Sequence, residues 1–258
     1  MAAAQLLTPR PSSAAEGVHF VENFVGNGTI TTNLIGQNMW TTTAIANAGT
    51  LSYLTTILAD DPPVGGIRML TAGTADGDGD AVHMLAANAR ISGAKSEYGG
   101  GFAFRYRYPN IAGNQIAGND FYIGLHTSVT ATVPTDGILI FSDGGVLNLR
   151  ADTADGSDAT AAFAGGSTLT SGTTSVIDVA HQIEVHWTGE NGNGGPRYIE
   201  AFCDGEPVAT LTTDLDDDEN FTPAIVHYQN TGGADTLELD VHWFEYWQYM
   251  DWPDAPAV

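Results

Sequence analysis

Alternation of apolar and polar residues is the dominant pattern of this chain, and it is clearest over residues 177–250. The apolar positions of the last alternating run are Leu237, Leu239, Val241 and Trp243. The same period of two recurs over 183–187 and 199–203. Because successive side chains of a strand point to opposite faces, the pattern predicts strands with one buried face. The pair Asp204–Gly205 predicts a tight hairpin within this region.

Similar runs, separated by glycine, asparagine and aspartate, predict further strands upstream. They cover 18–25, 52–58, 66–71, 97–108, 121–126, 138–141 and 146–150. No stretch has the period of a helix, and no change of composition marks a second domain. The sequence therefore predicts an all-β protein, a two-sheet antiparallel jelly-roll sandwich over residues 18–252. Residues 1–17, with two prolines, are predicted to form an extended N-terminal arm, and residues 253–258 a C-terminal tail.

The predicted strand over 97–108 has an aromatic face and a basic face. Its aromatic positions are Phe102, Phe104, Tyr106 and Tyr108. Arg105 and Arg107 alternate with them and therefore point the other way. Two arginines on one strand face, in a chain with few cations, are expected to pair with carboxylates of a neighbouring strand. An anionic ligand or a partner subunit is the alternative.

The balance of charges narrows the classes of partner. Lys and Arg total 8 against 31 Asp and Glu, a formal net charge of -23. Binding to a nucleic-acid backbone requires clustered cations, so a nucleic-acid partner is not expected. The single cysteine, Cys203, excludes an internal disulfide and a cysteine-cluster metal site, and is predicted to pack in the core.

The chain shows no signal for export or membrane insertion. No basic residue precedes Arg10, and the apolar run before it is shorter than that of a signal peptide. No stretch approaches the roughly 20 apolar residues that span a bilayer. We therefore expect synthesis in a host cytoplasm and no membrane partner.

Three aspartates at alternate positions form an acidic loop over residues 72–80. They are Asp76, Asp78 and Asp80. Calcium favours such clusters of carboxylate oxygens, so this loop is the candidate metal site of the sequence. The helix-loop-helix calcium pattern is incomplete, because Ala81 and Ala87 stand where it requires glycine and glutamate. A solvated turn is the alternative, and no other cofactor is expected.

The run from HQIEVHW at 181–187 through RYIEAFCDGEPVATL at 197–211 to the closing aromatic strand resembles the concanavalin A-like jelly roll. That fold is shared by laminin G-type modules, legume lectins and many glucanases. Similar sandwiches occur in virion proteins of tailed phages, where they decorate heads or form tail appendages. The resemblance covers residues 18–250 and implies a fold rather than an activity.

The glucanases of this fold carry carboxylates on one strand, in the pattern E-x-D-x-x-E or with one further residue before the last glutamate. The nearest match is Glu238, Asp240 and Glu245. The odd offset of seven predicts that Glu245 faces away from Glu238 unless a bulge intervenes. The seven histidines show no metal-binding spacing, and a zinc site lacks an identifiable third ligand. We therefore do not expect an enzyme.

The resemblance favours a structural virion protein, a capsid decoration or head-stabilising protein that binds the major capsid protein on the virion exterior. Similar decorators are commonly trimers, so a homotrimer is the expected assembly. The candidate partner-binding residues lie in the arm and in the aromatic end of the chain: Leu6, Leu7, Pro9, Arg10, Trp247, Tyr249 and Trp252. A lectin-like module that binds a glycan through exposed tryptophans and the acidic loops is the alternative.

Overall fold

A computed structural model describes thirteen stretches of the chain, and the account that follows is confined to them. They are residues 17–26, 29–30, 35–36, 40–54, 65–84, 99–109, 118–126, 128–152, 158–163, 178–188, 197–213, 221–230 and 236–249. Five of the predicted partner-binding residues lie outside these stretches: Leu6, Leu7, Pro9, Arg10 and Trp252.

The described residues form fifteen strands and no helix, which confirms the all-β prediction. The strands are β1 Gly17–Glu22, β2 Trp40–Ile45, β3 Thr50–Tyr53, β4 Ile67–Leu70, β5 Gly79–Met84, β6 Gly100–Arg107, β7 Asn119–His126, β8 Gly137–Asp143, β9 Val146–Asp152, β10 Asp158–Ala162, β11 His181–Trp187, β12 Arg197–Cys203, β13 Glu206–Thr213, β14 Thr222–Gln229 and β15 Glu238–Tyr249. Within these stretches there is consequently no helix of the length and apolarity needed to cross a membrane.

Two antiparallel sheets pack face to face as a sandwich. The eight-stranded sheet has the order β13-β12-β11-β6-β15-β4-β3, and β1 also pairs with β15. The seven-stranded sheet has the order β10-β9-β8-β7-β14-β5-β2. The long strand β15 pairs with β6 on one edge, while its other edge is shared by β4 along 238–241 and β1 along 244–249.

The core lies between the sheets, and the aromatic face of β6 contributes much of it. Phe102, Phe104, Tyr106 and Tyr108 are buried there, as the alternation predicts. Arg105 and Arg107 point to the opposite, outer face of the sheet. Cys203 is also buried in the core, which confirms its predicted packing role. The Asp204–Gly205 turn joins β12 to β13 with positive φ angles of 51° and 86°, as a tight hairpin requires.

A bulge in β15 corrects the predicted pattern of its side chains. Opposite β6, Val241 pairs with Tyr106 and Trp243 pairs with Arg105, so one residue of β15 is extra. The extra residue reverses the alternation. Trp243 therefore points to the outer face, contrary to the sequence prediction, and Phe244 and Tyr246 take over the buried positions.

The outer face of the seven-stranded sheet is covered by the chain itself. Residues 128–136 connect β7 to β8, and Val129, Ala131 and Val133 pack on a second apolar cluster. Tyr122 fixes this connection, because its hydroxyl donates to the Thr130 carbonyl at 2.6 Å and accepts from the Thr130 N–H at 2.8 Å. The central strands of this sheet are thus buried on both faces within one chain.

Candidate functional site

The outer face of the eight-stranded sheet is polar, and the strand registers align its side chains in rows. We call it the polar face. Its members are Arg68, Arg105, Arg107, Gln182, Glu184, His186, Glu200, Glu238, Asp240, Trp243 and Glu245. Gln182, Arg105 and Trp243 form one row across β11, β6 and β15. The alternation of β6, β11 and β12 places these groups opposite the apolar side chains that fill the core.

A buried ion network occupies one end of the polar face. Arg107 donates from Nη2 to Oδ2 of Asp240 at 2.6 Å. Arg68 binds the same carboxylate through both oxygens, at 2.7 and 2.9 Å, and lies 3.2 Å from Glu238. The hydrogen bond to Asp240 raises the pKa of Arg68. For Arg107, the prediction that an arginine pairs with a carboxylate of a neighbouring strand is confirmed, because β6 and β15 are adjacent.

An open cleft of about 410 Å³ lies beside this network. Its lining comes from three segments: Arg105, Ala180, Gln182, Glu184, Asp204 and Gly205. Gln182 donates from Nε2 to Oε1 of Glu184 at 2.6 Å, and this hydrogen bond links the two side chains. The partly exposed indole of Trp243 is the cross-strand neighbour of Arg105. The cleft therefore combines donors, acceptors and a nearby aromatic ring.

Small residues of β6 form the floor of the polar face beyond the cleft. Ala103 separates Glu184 from Glu245 across three strands. At Gly101 a Cβ atom would lie 2.2 Å from Cζ2 of Trp247, so the indole rests directly on the glycine backbone. His186 packs against the same indole, with ring centroids 5.2 Å apart.

Trp247 does not have the exposure that partner binding requires. Its relative accessibility is 0%, so the side chain packs within this chain and is not available to a partner in this conformation. Tyr249, two residues later on the same face of β15, is partly buried. The partner-binding role of Tyr249 remains a prediction.

The three carboxylates compared with the glucanase pattern share one face, contrary to expectation. The bulge at 241–243 supplies the odd step that brings Glu245 to the side of Glu238 and Asp240. Arg68 engages Glu238 and Asp240, and Glu245 Oε1 lies 2.8 Å from Nε2 of His19. Burial raises the pKa of Glu238, and Arg68 opposes this shift.

The aspartates of the acidic loop have three different environments. Asp76 is exposed, whereas Asp78 and Asp80 are buried. Asp78 accepts four hydrogen bonds, from the Thr74 hydroxyl, the Thr74 and Ala75 N–H groups and the Asn47 amide, which together lower its pKa. Among the described residues, the group of His, Cys, Asp or Glu atoms close enough to hold a metal lies elsewhere. Calcium binding by this loop remains a prediction, tested by whether a chelator lowers the melting temperature.

Sequence reasoning identified Arg105 and Arg107 but missed their neighbours in the cleft. The polar positions Gln182 and Glu184 were visible in the alternation of β11, and Asp204 was identified only as a turn residue. The missing information was strand order, because only the pairing of β11 with β6 places these residues beside Arg105.

Comparison with solved structures finds sandwiches of the same kind. A protein of unknown function from Shewanella oneidensis MR-1 is 13% identical and has a TM-score of 0.55, with 99% of both chains covered. A structure of botulinum neurotoxin type C, whose cell entry depends on interaction with two ganglioside molecules, is 11% identical with a TM-score of 0.50, and the match covers 92% of this chain and 49% of that one. A carbohydrate esterase from the Shiga toxin-encoding bacteriophage phi24B is 16% identical with a TM-score of 0.45, covering 81% and 89%.

At these identities the likeness concerns the fold, an all-β two-sheet sandwich. No protein-family model matches the chain, and the search of curated proteins also returned no match.

Proposed function

We propose that the chain is a glycan-binding module of the concanavalin A-like type, with its binding site in the cleft of the polar face. The observation that supports this most is the composition of the cleft. Arg105 supplies donors, Glu184 and Asp204 supply acceptors, and Gln182 supplies both. Sugar hydroxyls require both kinds of partner, and Trp243 offers an aromatic ring for the apolar side of a sugar.

The size of the cleft is consistent with this role. A volume of about 410 Å³ lies in the range of roughly 300–1,000 Å³ typical of small-ligand sites. We propose binding without catalysis, because a retaining glycosidase needs two carboxyl groups about 5 Å apart that are available to the substrate. Glu238 and Asp240 are instead held by guanidinium groups.

The test is a screen of the purified chain against a panel of neutral and sialylated oligosaccharides, followed by titration calorimetry on any that bind. Arg105→Ala and Glu184→Gln are expected to weaken binding at least about tenfold each, because the first removes the guanidinium donors and the second removes a charge and turns one acceptor into a donor. Arg150→Ala is the matched control, since Arg150 lies on the seven-stranded sheet and contacts the 133–134 backbone.

Either of two results would overturn the glycan proposal. The first is a panel without a binder. The second is a binder whose affinity falls equally in the Arg150→Ala variant, because binding would then lie outside the cleft. Release of reducing sugar from a bound oligosaccharide would overturn the non-catalytic part of the proposal alone.

Capsid decoration is the second candidate, and one feature of the fold favours it. Gly17 at the start of β1 pairs with Tyr249 at the end of β15. The predicted arm and the aromatic C-terminal segment are therefore joined to the sandwich at one corner, where they would act on a neighbouring subunit together. On this proposal the chain is a homotrimer on the virion exterior that binds the major capsid protein, and its charge of -23 faces outward.

Quantitative mass spectrometry of purified particles tests the decoration candidate. A copy number comparable with that of the major capsid protein is expected, and deletion of residues 1–16 should abolish attachment while the sandwich still folds. A count of a few copies per particle would contradict decoration and favour a glycan-binding appendage. Normal attachment of the truncated chain would contradict the role of the arm.

A further inference from the structure

Three side chains with metal-binding atoms converge where β11 begins and β12 ends, and one of them, Asp204, also lines the cleft. His181 begins β11, Cys203 ends β12, and Asp204 opens the turn that follows. One ligand atom from each lies within 4.8 Å of those of the other two. Nδ1 of His181 is 2.8 Å from Oδ2 of Asp204, and the Cys203 thiol donates to the same oxygen at 3.8 Å. Strand pairing makes this convergence, because β11 and β12 are adjacent.

The backbone fixes the position of Asp204 at this end of the sheet. Its N–H donates to the Gln182 carbonyl, and its Oδ1 accepts from the Gln182 N–H, both at 2.8 Å. Oδ2 therefore remains directed at His181 and Cys203.

Two further polar atoms at this site have no hydrogen-bond partner. Among the described residues, Nε2 of His181 and the hydroxyl of Tyr106 are both buried and unsatisfied. The two rings are neighbours, with centroids 6.0 Å apart, and Tyr106 is 1% exposed. A buried polar atom without a hydrogen-bond partner costs free energy, and water that enters with a bound ion could supply such a partner.

We propose that His181, Cys203 and Asp204 bind a divalent transition metal of the zinc class. The ligand set of an imidazole nitrogen, a thiolate sulfur and a carboxylate oxygen suits Zn²⁺ or Co²⁺, and disfavours calcium, which takes oxygen ligands. For Nδ1 of His181 to ligate the metal, the ring proton must lie on Nε2, and the thiol proton of Cys203 is replaced by the metal and released to solvent. A three-ligand site leaves a fourth position, which water or a further ligand takes in sites of this class.

The alternative role for this cluster, a cysteine nucleophile activated by histidine, does not fit the surroundings of the thiol. Cys203 is 5% exposed, and burial raises the pKa of its thiol to about 12. Nucleophilic cysteines have the opposite properties, namely exposure and a lowered pKa. A metal, in contrast, takes the thiolate directly by displacing its proton.

The proposal is independent of glycan binding, although the two sites share Asp204. Asp204 also lines the cleft, so an ion bound here would hold one wall of that cleft in place. Metal binding is measurable without any sugar. Failure of the glycan proposal would consequently leave this one intact, and the reverse also holds.

Cobalt titration of the chelator-treated full chain tests the site. Because Cys203 is the sole cysteine, any thiolate-to-cobalt charge-transfer absorption must come from it. We expect this absorption to saturate at one Co²⁺ per chain and to disappear on addition of Zn²⁺. His181→Gln is expected to weaken cobalt binding by more than about 10–100-fold, the cost of losing even an outer partner of a metal ligand.

The control is His19→Gln, the same substitution at a histidine that pairs with Glu245 on β15, and it should leave cobalt binding unchanged. Cys203→Ala should abolish the absorption, and far-ultraviolet circular dichroism checks that this core variant folds. Absence of the absorption from the unmodified chain would overturn the proposal. An absorption that His181→Gln leaves unchanged would overturn the assigned ligand set.

Discussion

The two outer faces of the sandwich carry side chains of opposite chemistry. On the seven-stranded sheet, apolar side chains such as Tyr122, Leu139 and Val226 are covered by residues 128–136 of the same chain. On the eight-stranded sheet, the polar face carries arginines, carboxylates and a cleft. An apolar face covered by its own chain contributes to stability, whereas a face with charged groups and a cleft can present those groups to a ligand. This difference is the reason why the proposed glycan site is on the eight-stranded sheet.

The largest stability effect expected on the polar face comes from Asp240→Asn. Asp240 is 0% exposed and joins Arg68 to Arg107, which is itself 3% exposed. Removal of the charge leaves a buried guanidinium without its main counter-ion, a loss of about 3–5 kcal/mol in the free energy of unfolding. Urea denaturation measures this difference.

The matched control on the other sheet is Asp158→Asn. Asp158 lies 3.5 Å from Arg150, and both side chains are partly exposed. A solvated ion pair contributes about 0–1 kcal/mol, so this variant should unfold almost as the unmodified chain does. Equal losses in the two variants would contradict the view that the Asp240 network is a buried element of the polar face.

The next largest loss of stability is expected from Gly101→Ala, at the floor of the polar face. The added methyl group would lie 2.2 Å from Trp247 and 2.5 Å from the Val185 carbonyl oxygen. Overpacking of this kind costs about 1–3 kcal/mol. Thermal unfolding measures the loss, and a Trp247→Leu background should reduce it by removing the indole. A neutral Gly101→Ala variant would show that Trp247 does not rest on the glycine as described.

The fold was predictable from the local sequence because the alternation of apolar and polar residues within a strand shows which of its faces is buried. The alternation in β6 and the Asp204–Gly205 hairpin both follow from side-chain period and turn chemistry. The bulge in β15 was not predictable, because an extra residue leaves no mark in a run where almost every position is buried. A single unseen residue therefore reversed the faces assigned to Trp243 and Glu245.

The candidate site was only half predictable for a related reason. The pairing of Arg107 with a carboxylate followed from the scarcity of cations and the excess of acids. The metal-binding group did not, because His181 and Cys203 are separated by 22 positions and meet only through the pairing of β11 with β12. Spacing motifs detect ligands that are close in sequence, and in this group only Cys203 and Asp204 are neighbours in the chain.

A smaller effect is expected on the covered sheet, from Tyr122→Phe. The phenol accepts from the Thr130 N–H and donates to the Thr130 carbonyl, so its removal leaves two backbone groups without their partner. A loss of about 1–2 kcal/mol is expected. Tyr228→Phe is the control, since that ring packs against Tyr122 in the same cluster, with centroids 6.2 Å apart. If the two variants lose equal stability, the hydroxyl does not fix the 128–136 connection.

The smallest expected effect is a pH dependence of stability caused by Asp80, a buried aspartate of the seven-stranded sheet. Its surroundings differ from those of Asp240 on the polar face. Burial, partly opposed by a hydrogen bond from Gly49, raises the pKa of Asp80 to about 6, and within the described structure its Oδ2 lacks a hydrogen-bond partner. An unfolded aspartate ionises near pH 4. The folded state therefore holds the proton more tightly, and this contribution to stability is present below about pH 4 and lost as the pH rises through about 6.

Asp80→Asn removes that dependence, because the amide does not titrate. Between pH 4 and pH 7 the unmodified chain should lose about 1 kcal/mol of stability relative to the variant. Partial exposure of Asp80 to solvent keeps this loss small. Urea denaturation at both pH values measures the difference. If the unmodified chain and Asp80→Asn had the same pH dependence, the pKa of Asp80 would not be raised by folding. Asp80 would then be stabilised as an anion, as Asp240 is by its arginines. The two sheets would then no longer differ in this respect, that is, in holding one buried aspartate with two arginines and one without an arginine.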